Sequence, residues 1–548
     1  MSVKTDSLFG KPNDLRRLAN TKFQGLTEAE IKLLHAAPVR NEQAWCGPTR
    51  NDSGWENDPA NGENWGTERQ IRAALIGWLC RDPAARDQVD PQGISIHGAR
   101  IIGTIALEGV IVPFSLYLGN CYVPDGCYLP ECEIRGTLGF FATRVSVLMA
   151  EEAIVRGDVI LRNGFQAEGG VSFMRAEIGG DLDCRGAILH GRKLPGDEYY
   201  NLPSGEVIAL HGLSLVVKGR TILGYGFQAD TGVFLDFAHL GTALDCREGT
   251  FSSLRIEGAR VDGPFYWAAI KSPKLTKLDL QEASVAMLED DEDSWPSSGN
   301  LLLNGFVYGH FNGRSSNVTA RLKWLALQPD EKFTTQPYRQ LAKVLAEAGD
   351  YDGAAQVLET VQDRQRRQTH SYLEKTGAWI LKSTIGYGYD PLRAGWWILG
   401  STAVGWILYR RSYLAGKVVP VDKDACECVR CEGKLPSHYS RFSPFIYSLE
   451  NTLPLVKLGQ ADRWQLDPDP QSMPSPPKWE PELSPQWISW LRVRLKLKAK
   501  DLSVRTTEKP ILWTSPRGLR WFLWFQILLG WLLATLFVAG VTGFIRRN

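Results

Sequence analysis

Between residues 92 and 315 apolar positions alternate with small or polar ones in short strings: ISIHGARIIG, TIALEG, FSLYLG, VSFMRAEIGG and DLDCRGAIL. Alternation at a period of two marks half-buried strands. The strings recur about every 10 residues, with Gly or Asn at the corners between them. One stretch is nearly duplicated: GDVILRNGFQAEGGVSFMRAEIGGDLDCR from Gly157, and GRTILGYGFQADTGVFLDFAHLGTALDCR from Gly219. Gly164, Phe165, Gln166, Ala167, Gly170, Val171, Ala176, Gly179, Leu182, Asp183, Cys184 and Arg185 all reappear in register between Gly226 and Arg247. A fixed period of strand-length units predicts a solenoid: each coil is too small to fold alone, and stacking buries a continuous apolar column. Glycine permits the tight corners. Ala99, Ala167, Ala176, Ala229, Ala238 and Ala259 predict a narrow interior. The polar stretches HGRKLPGDEYYNLPSGEV from His190 and MLEDDEDSWPSSGN from Met287 are expected to leave the corners as loops, the second a solvated acidic loop rather than a calcium site.

The flanks follow other periods. Residues 1–91 read as a helical N-terminal cap, with capping boxes at Thr27–Glu30 before IKLLHAA and at Thr67–Gln70 before IRAALIGWLC. Residues 316–389 read as a helical hairpin and a juxtamembrane turn: YRQLAKVLAEAG ends in Gly349, and Asp350 N-caps DYDGAAQVLETVQDRQRR. Two runs then reach membrane length, about 20 mainly apolar residues. LRAGWWILGSTAVGWILY gives a span over 390–411, and WFLWFQILLGWLLATLFVAGVTGFI gives one over 518–548, both flanked by Arg and Trp as interface anchors. Residues 412–517 lie between them. Ala539-x-x-x-Gly543 offers a small-residue face for helix packing and a homo-oligomer.

Composition narrows the function. Sixty-two Lys and Arg against 61 Asp and Glu leave a net charge of +1, which argues against a nucleic-acid partner. Ten Cys in 548 residues are too few for a disulfide scaffold. The N-terminus carries no apolar signal segment, so the solenoid is expected in a reducing cytoplasm with its Cys as thiols. Two spans then put both ends inside and residues 412–517 outside, although that segment is rich in Lys and Arg, which usually stay inside when loops are short.

Candidate chemistry is sparse. Gly224-x-Gly226-x-x-Ala229, with Asp245 downstream, fits a dinucleotide fingerprint, but the residues after Ala229 continue a strand period where the fingerprint needs a helix. Thr384-Ile385-Gly386-Tyr387-Gly388 spells a potassium filter, yet it precedes the first span, so it reads as a juxtamembrane turn. The segment Phe442–Trp464 does lie between the spans: a short helix-like stretch, Ile446 to Leu453, a Pro break, then Lys457, Leu458, Gly459, Gln460 and Asp462 as pore-loop candidates, with Lys457 unfavourable to a cation. Cys426-x-Cys428-x-x-Cys431 with His438 is a candidate zinc set, with a disulfide or plain thiols as the alternatives. Arg492, Arg494, Lys496, Lys498 and Lys500 alternate with apolar residues, which suits either an anionic bilayer surface or a protected edge strand. His97, His190, His211 and His239 are scattered, and Asp183 and Asp245 read as solvent-facing repeat positions. No catalytic group and no cofactor are expected.

The coils resemble pentapeptide-repeat and related right-handed parallel β-helix proteins, without a strict A-(D/N)-L-x-x register. The order helix, loop, helix at the end is similar to two-span ion channels with a degenerate pore loop. Over most of its length the chain looks similar to bacterial proteins described as membrane-associated oxidoreductases. The expected fold is mainly β: a right-handed parallel β-helix with a helical cap, a helical hairpin and two transmembrane helices. The expected function is a membrane-anchored, non-enzymatic scaffold or sensor of the bacterial inner membrane. Its expected partners are lipid, further copies of itself and a protein of unknown kind. An ion channel is the first alternative, and a redox enzyme is the second.

Overall fold

Parallel pairing carries the first half of the chain. In the computed structural model, which describes residues 12–50, 54–191, 207–312, 317–368, 372–390, 392–432, 435–453, 456–467 and 516–541, strand after strand stacks on its equivalent one turn on. Ile94, Leu116, Leu138, Val159 and Leu182 form one such column. The result is a β-solenoid of about 9 turns. Its strands form two long sheets, of 17 and 15 strands. The repeat of about 10 residues expected from sequence is half a turn. One full turn holds four short strands, for example Glu133–Ile134, Leu138–Phe141, Arg144–Val145 and Leu148–Met149.

The interior follows from side-chain size. All six repeated alanines are buried, and larger residues fill the remaining columns, with Phe140 against Phe165 and Phe227 against Phe251. Cys121, Cys127, Cys184 and Cys246 are buried free thiols. Close stacking fixes some glycines: a Cβ on Gly179 would lie 2.3 Å from the Arg156 carbonyl oxygen, and one on its repeat Gly241 2.4 Å from that of Lys218. The corners were expected to be Gly or Asn. Many instead hold larger residues in the left-handed region, among them Glu131 (φ 55°), Glu152 (57°) and Phe237 (55°). Such a residue costs about 1–2 kcal/mol. Here its N–H gains a carbonyl of the next turn, as in Glu131 to Glu151 and Phe237 to Glu257, both 2.8 Å.

The two ends of the column are closed differently. At the N-terminal end, α1 (Pro12–Lys22) and α2 (Glu28–Ala36) precede α3 (Ala73–Arg81) and α4 (Pro83–Arg86). The Thr27–Glu30 capping box forms, and the same buried Glu30 takes a two-pronged ion pair from Arg72, 2.7 Å on each oxygen. The second capping box does not form. α3 starts at Ala73, with Arg72 as an N-cap whose side chain makes no capping bond. Gln70–Arg72 is drawn into parallel pairing with Arg100–Ile102, so residues 1–91 supply strands to the solenoid as well as helices.

At the C-terminal end, α5 (Val318–Leu325) and α6 (Gln336–Glu347) cover the last turn. Gln336 bonds both Gly305 N–H and Phe306 C=O, and Gln340 donates to Tyr308 C=O at 2.7 Å, satisfying backbone that no further turn reaches. The stretch expected as a solvated acidic loop is partly strand: Ser284–Asp290 pairs with Val307–Asn312. Asp290 is buried, bound to the buried Arg321 of α5 at 2.5 and 2.9 Å. Two helices joined by a tight turn occur where the hairpin was expected. Gly349 has φ 86°, and Asp350 accepts the Gly353 N–H at the start of α7 (Tyr351–Gln368).

The chain divides within α7 into two compact units, Met1–Val357 and Leu358–Asn548. The second unit holds α8 (Tyr372–Ile385), α9 (Arg393–Leu414), α10 (Lys423–Glu432), α11 (Pro444–Thr452) and α12 (Pro516–Val541). It also holds an antiparallel pair, Val418–Pro420 with Trp464–Leu466. Among the described residues one helix is long and apolar enough to cross a membrane by length and composition: Arg517–Ala539 of α12. The other expected span, over 390–411, is α9; it has the length, 22 residues, but Trp, Tyr, Gly, Ser and three Arg dilute its aliphatic residues. The expectation of two spans is met by one helix.

Candidate functional site

Helix α11 is only nine residues long, and nearly every polar side chain on it is buried. Ser443 caps it, and Pro444 occupies its first turn, where a missing N–H costs nothing. It packs against α9 and α12. Ser448 Oγ donates to Thr402 C=O of α9 at 2.9 Å, and the Tyr409 and Tyr447 rings meet edge to face at 4.9 Å. The approach is possible because position 405 is glycine: a Cβ there would lie 2.2 Å from Ser448 Oγ.

Gln526, fully buried in the middle of α12, ties the three helices together. Its Nε2 donates to Ser448 Oγ at 2.9 Å and to Thr452 Oγ1 at 2.7 Å, and its Oε1 accepts the Tyr409 hydroxyl at 2.8 Å. A polar side chain inside an apolar helix bundle is expensive and marks function more often than chance.

Beyond α11 the chain turns back over Glu450, whose surface is 8 % exposed. Its Oε1 accepts the N–H groups of Leu458 and Gly459, both at 3.0 Å. Its Oε2 accepts those of Gln460 (2.8 Å) and Ala461 (2.9 Å). Gly459 supplies the left-handed turn, φ 77°. The Gln460 side chain accepts from Ser443 N–H and donates to Arg441 C=O.

The pore-loop candidates Lys457, Leu458, Gly459 and Gln460 therefore do form one ordered loop behind a short helix. Asp462 lies exposed at its far end. Glu450, Gln526 and Tyr409, which hold that loop and its helix, were not singled out from sequence. The available signal was a lone carboxylate in FIYSLENTL and a lone amide in a long apolar run.

The other candidates separate. Ile385 ends α8, and Gly386–Gly388 forms a turn before α9. There Tyr387 (φ 56°) donates to Asp363 at 2.9 Å, and Lys382 pairs with the same carboxylate. Burial works to raise the Asp363 pKa, but the bonds from Lys382 and Tyr387 hold it below the ordinary value. Burial and Asp363 push Tyr387 up to about 12. Gly224, Gly226 and Ala229 belong to the solenoid, with Ala229 inside the strand Gln228–Phe234; no helix follows to meet a pyrophosphate.

Cys426 and Cys428 stand about 200° apart around α10, and His438 lies exposed beyond it. Among the described residues no three His, Cys, Asp or Glu side chains assemble as a metal set. Burial pushes Cys46, Cys121, Cys127 and Cys132 up to about 12, which keeps them protonated and poor nucleophiles. Asp183 and Asp245 are not solvent-facing: each is buried and clasped by the Arg two residues on, Arg185 at 2.7 Å and Arg247 at 2.6 Å. A groove of about 250 Å³ on the solenoid wall is lined by Asp230, Ser252, Ser253, Arg255 and Asp279 among others, but Arg255 is already bound to Asp236. Arg492, Arg494, Lys496, Lys498, Lys500 and Gly543 lie outside the described residues.

No family model, curated protein or solved structure matches the chain.

Proposed function

We propose that the protein is a membrane-anchored, non-enzymatic scaffold or sensor: a right-handed, pentapeptide-repeat-like β-helix held at the bacterial inner membrane and working as a homo-oligomer. The observation that carries this reading is the inverted surface of α12, where Trp521, Phe525, Leu528 and Trp531 are exposed while Gln526 is buried. Such a surface suits lipid and not water. The exposed face of α9, with Trp396, Leu399 and Val404, supports a second crossing beside it. The right hand is the one that twisted parallel strands favour. Free thiols buried inside the solenoid are in keeping with a cytoplasmic location for it. The solenoid walls suit contact with another protein, and the near-neutral charge does not suit nucleic acid.

Cys431 is exposed on α10, so it reports its own side of the membrane. The full-length protein in a bacterial membrane should resist alkaline carbonate. Cys431 should react with a membrane-impermeant maleimide in intact spheroplasts, and Cys431→Ser should lower that labelling, with the half-buried Cys426 and Cys428 supplying the remainder. Release of the protein by carbonate would remove the anchor; labelling confined to inverted vesicles would reverse the topology.

A second reading is an ion-conducting pore. It is favoured by one specific observation: a short helix and a tightly held loop stand between two longer helices. Current across a planar bilayer containing the purified protein supports it, and none at any potential or ion tested ends it. Among the described residues no constellation favours the redox-enzyme alternative.

A further inference from the structure

The four hydrogen bonds on Glu450 have a geometric consequence. A peptide bond is planar, and a trans peptide points its C=O opposite to its N–H; no cis peptide occurs among the described residues. Four successive N–H groups, from Leu458 to Ala461, converge on one carboxylate. The carbonyls of Lys457, Leu458, Gly459 and Gln460 therefore face away from it. That of Gln460 accepts Arg463 and Trp464 N–H. Those of Lys457, Leu458 and Gly459 accept no hydrogen bond from any described residue, on a stretch whose side chains at Val456, Lys457 and Leu458 are exposed.

We propose that Glu450 is the positioning residue of a cation pathway, turning the Lys457, Leu458 and Gly459 carbonyls toward an ion shared between copies of the chain; this rests on the pore reading. Backbone carbonyls are hard, neutral oxygen ligands that can replace part of a cation's water shell. Three from one chain are too few for that shell, so the site is complete only when further copies contribute theirs. The carboxylate behind the loop also polarises the peptides it holds, making their carbonyl oxygens more negative. Lys457 contributes its backbone oxygen; its ammonium rides on a flexible, exposed stem that can swing aside.

Glutamate is specific to this role. An ionised carboxylate offers about four acceptor positions and no donor, and all four are filled. A glutamine has one oxygen and an NH₂ group that would face two of the loop N–H groups.

The test uses the full-length protein in lipid nanodiscs and in liposomes. Amide hydrogen exchange at residues 458–461 should be about 10- to 100-fold faster in Glu450→Gln than in the wild type, the range expected for bonds to a charged acceptor, with α12 unchanged. Wild-type liposomes should pass potassium with chloride largely excluded, and Glu450→Gln should lose most of that discrimination while keeping the same oligomeric mass. Gly459→Ala serves as a second variant. It has open space for a Cβ but a strained φ, leaves α11 untouched, and should also weaken discrimination.

Unchanged exchange in Glu450→Gln overturns the positioning role whatever the flux. Wild-type liposomes that pass no ion overturn the pore reading and the ion pathway with it, while the exchange result still decides whether Glu450 holds the loop. Lost protection with unchanged discrimination in both variants overturns the link between loop and ion.

Discussion

The solenoid and the helical unit both bury apolar side chains, and the helical unit adds a polar hub at its centre. Inside the solenoid lie Leu, Ile, Phe, Ala and protonated Cys, and the Arg and Asp pairs lie toward its surface. Inside the helical unit lie Gln526, Ser448, Thr452, Thr402 and Glu450, while Trp396 (76 % exposed) and Leu528 (69 %) face outward. The difference is the one the proposed membrane anchor requires, with the two units in different solvents. In water, burying apolar surface drives folding. In lipid, apolar side chains gain nothing by hiding, and helices are held together by packing and hydrogen bonds instead. The solenoid also buries charge, most deeply in the Arg321–Asp290 pair, whose side chains are 1 % and 2 % exposed, and that pair gives the largest test.

Arg321→Met leaves Asp290 buried with, among the described residues, only the Trp295 indole N–H as a side-chain partner. Breaking one side of a buried ion pair costs about 3–5 kcal/mol. Removing the polar hub of the helical unit by Gln526→Leu should cost less, about 1 kcal/mol, because partners inside a membrane find substitutes. Denaturant unfolding followed through tryptophan fluorescence checks the first, with Trp267, Trp295 and Trp324 all near the pair. Helix melting by circular dichroism in detergent checks the second. If Gln526→Leu proves the more damaging, the helical unit folds by the rules of a water-soluble core and the contrast fails.

The exposed apolar residues sharpen the same contrast. Leu528→Asp puts a charge on the outer face of α12, and at the centre of a membrane span that costs about 3 kcal/mol. Membrane partitioning of the variant should fall accordingly. The matched change in the solenoid is Phe237→Asp, at a corner that is 60 % exposed with φ 55°. Aspartate tolerates the left-handed region better than phenylalanine does, so solenoid stability should hold or rise within about 0.5 kcal/mol. Equal responses at the two positions would mean that both surfaces see the same solvent.

The same asymmetry governed what could be read from sequence. The solenoid was legible because its signal is repeated: the alanines from Ala99 to Ala259 and the twin stretches at Gly157 and Gly219 report one geometry many times. Its corners were not, since Glu131 or Phe237 is held left-handed by a carbonyl one turn away, which no local pattern encodes. Tertiary pairing likewise overrode the second capping box, pulling Gln70–Arg72 into a strand. Asp183 and Asp245 looked solvent-facing because the alternation places them on the outer side of their strands; Arg185 and Arg247 then fold back over them. In the helical unit the order of parts around Phe442–Trp464 was legible, while the grip on it was not. Glu450 acts through four backbone N–H groups, and a residue whose partners are backbone leaves no partner side chain to find.

Those two aspartates give the smallest effect and a sign that can be checked. Burial works to raise the pKa of Asp183, but bonds from the Arg185 side chain and backbone outweigh it and hold the carboxyl below its ordinary value. Asp245 behaves the same way under Arg247, with a further bond from Tyr225. A carboxyl whose folded pKa is depressed contributes its full stabilisation above the unfolded value, about 3.9, and loses it as pH falls through the folded one. Solenoid stability should therefore be flat with respect to these groups at neutral pH and decline below about pH 4. Asp183→Asn and Asp245→Asn should each make that decline shallower by about 1 kcal/mol or less, because the Arg partners are partly exposed and screened. The pairs sit at one repeat position in separate turns, so the double variant should lose the sum of the two single effects. Thermal unfolding of the four proteins between pH 2.5 and 7 measures it. A decline as steep in the double variant as in the wild type would place the acid sensitivity in other groups.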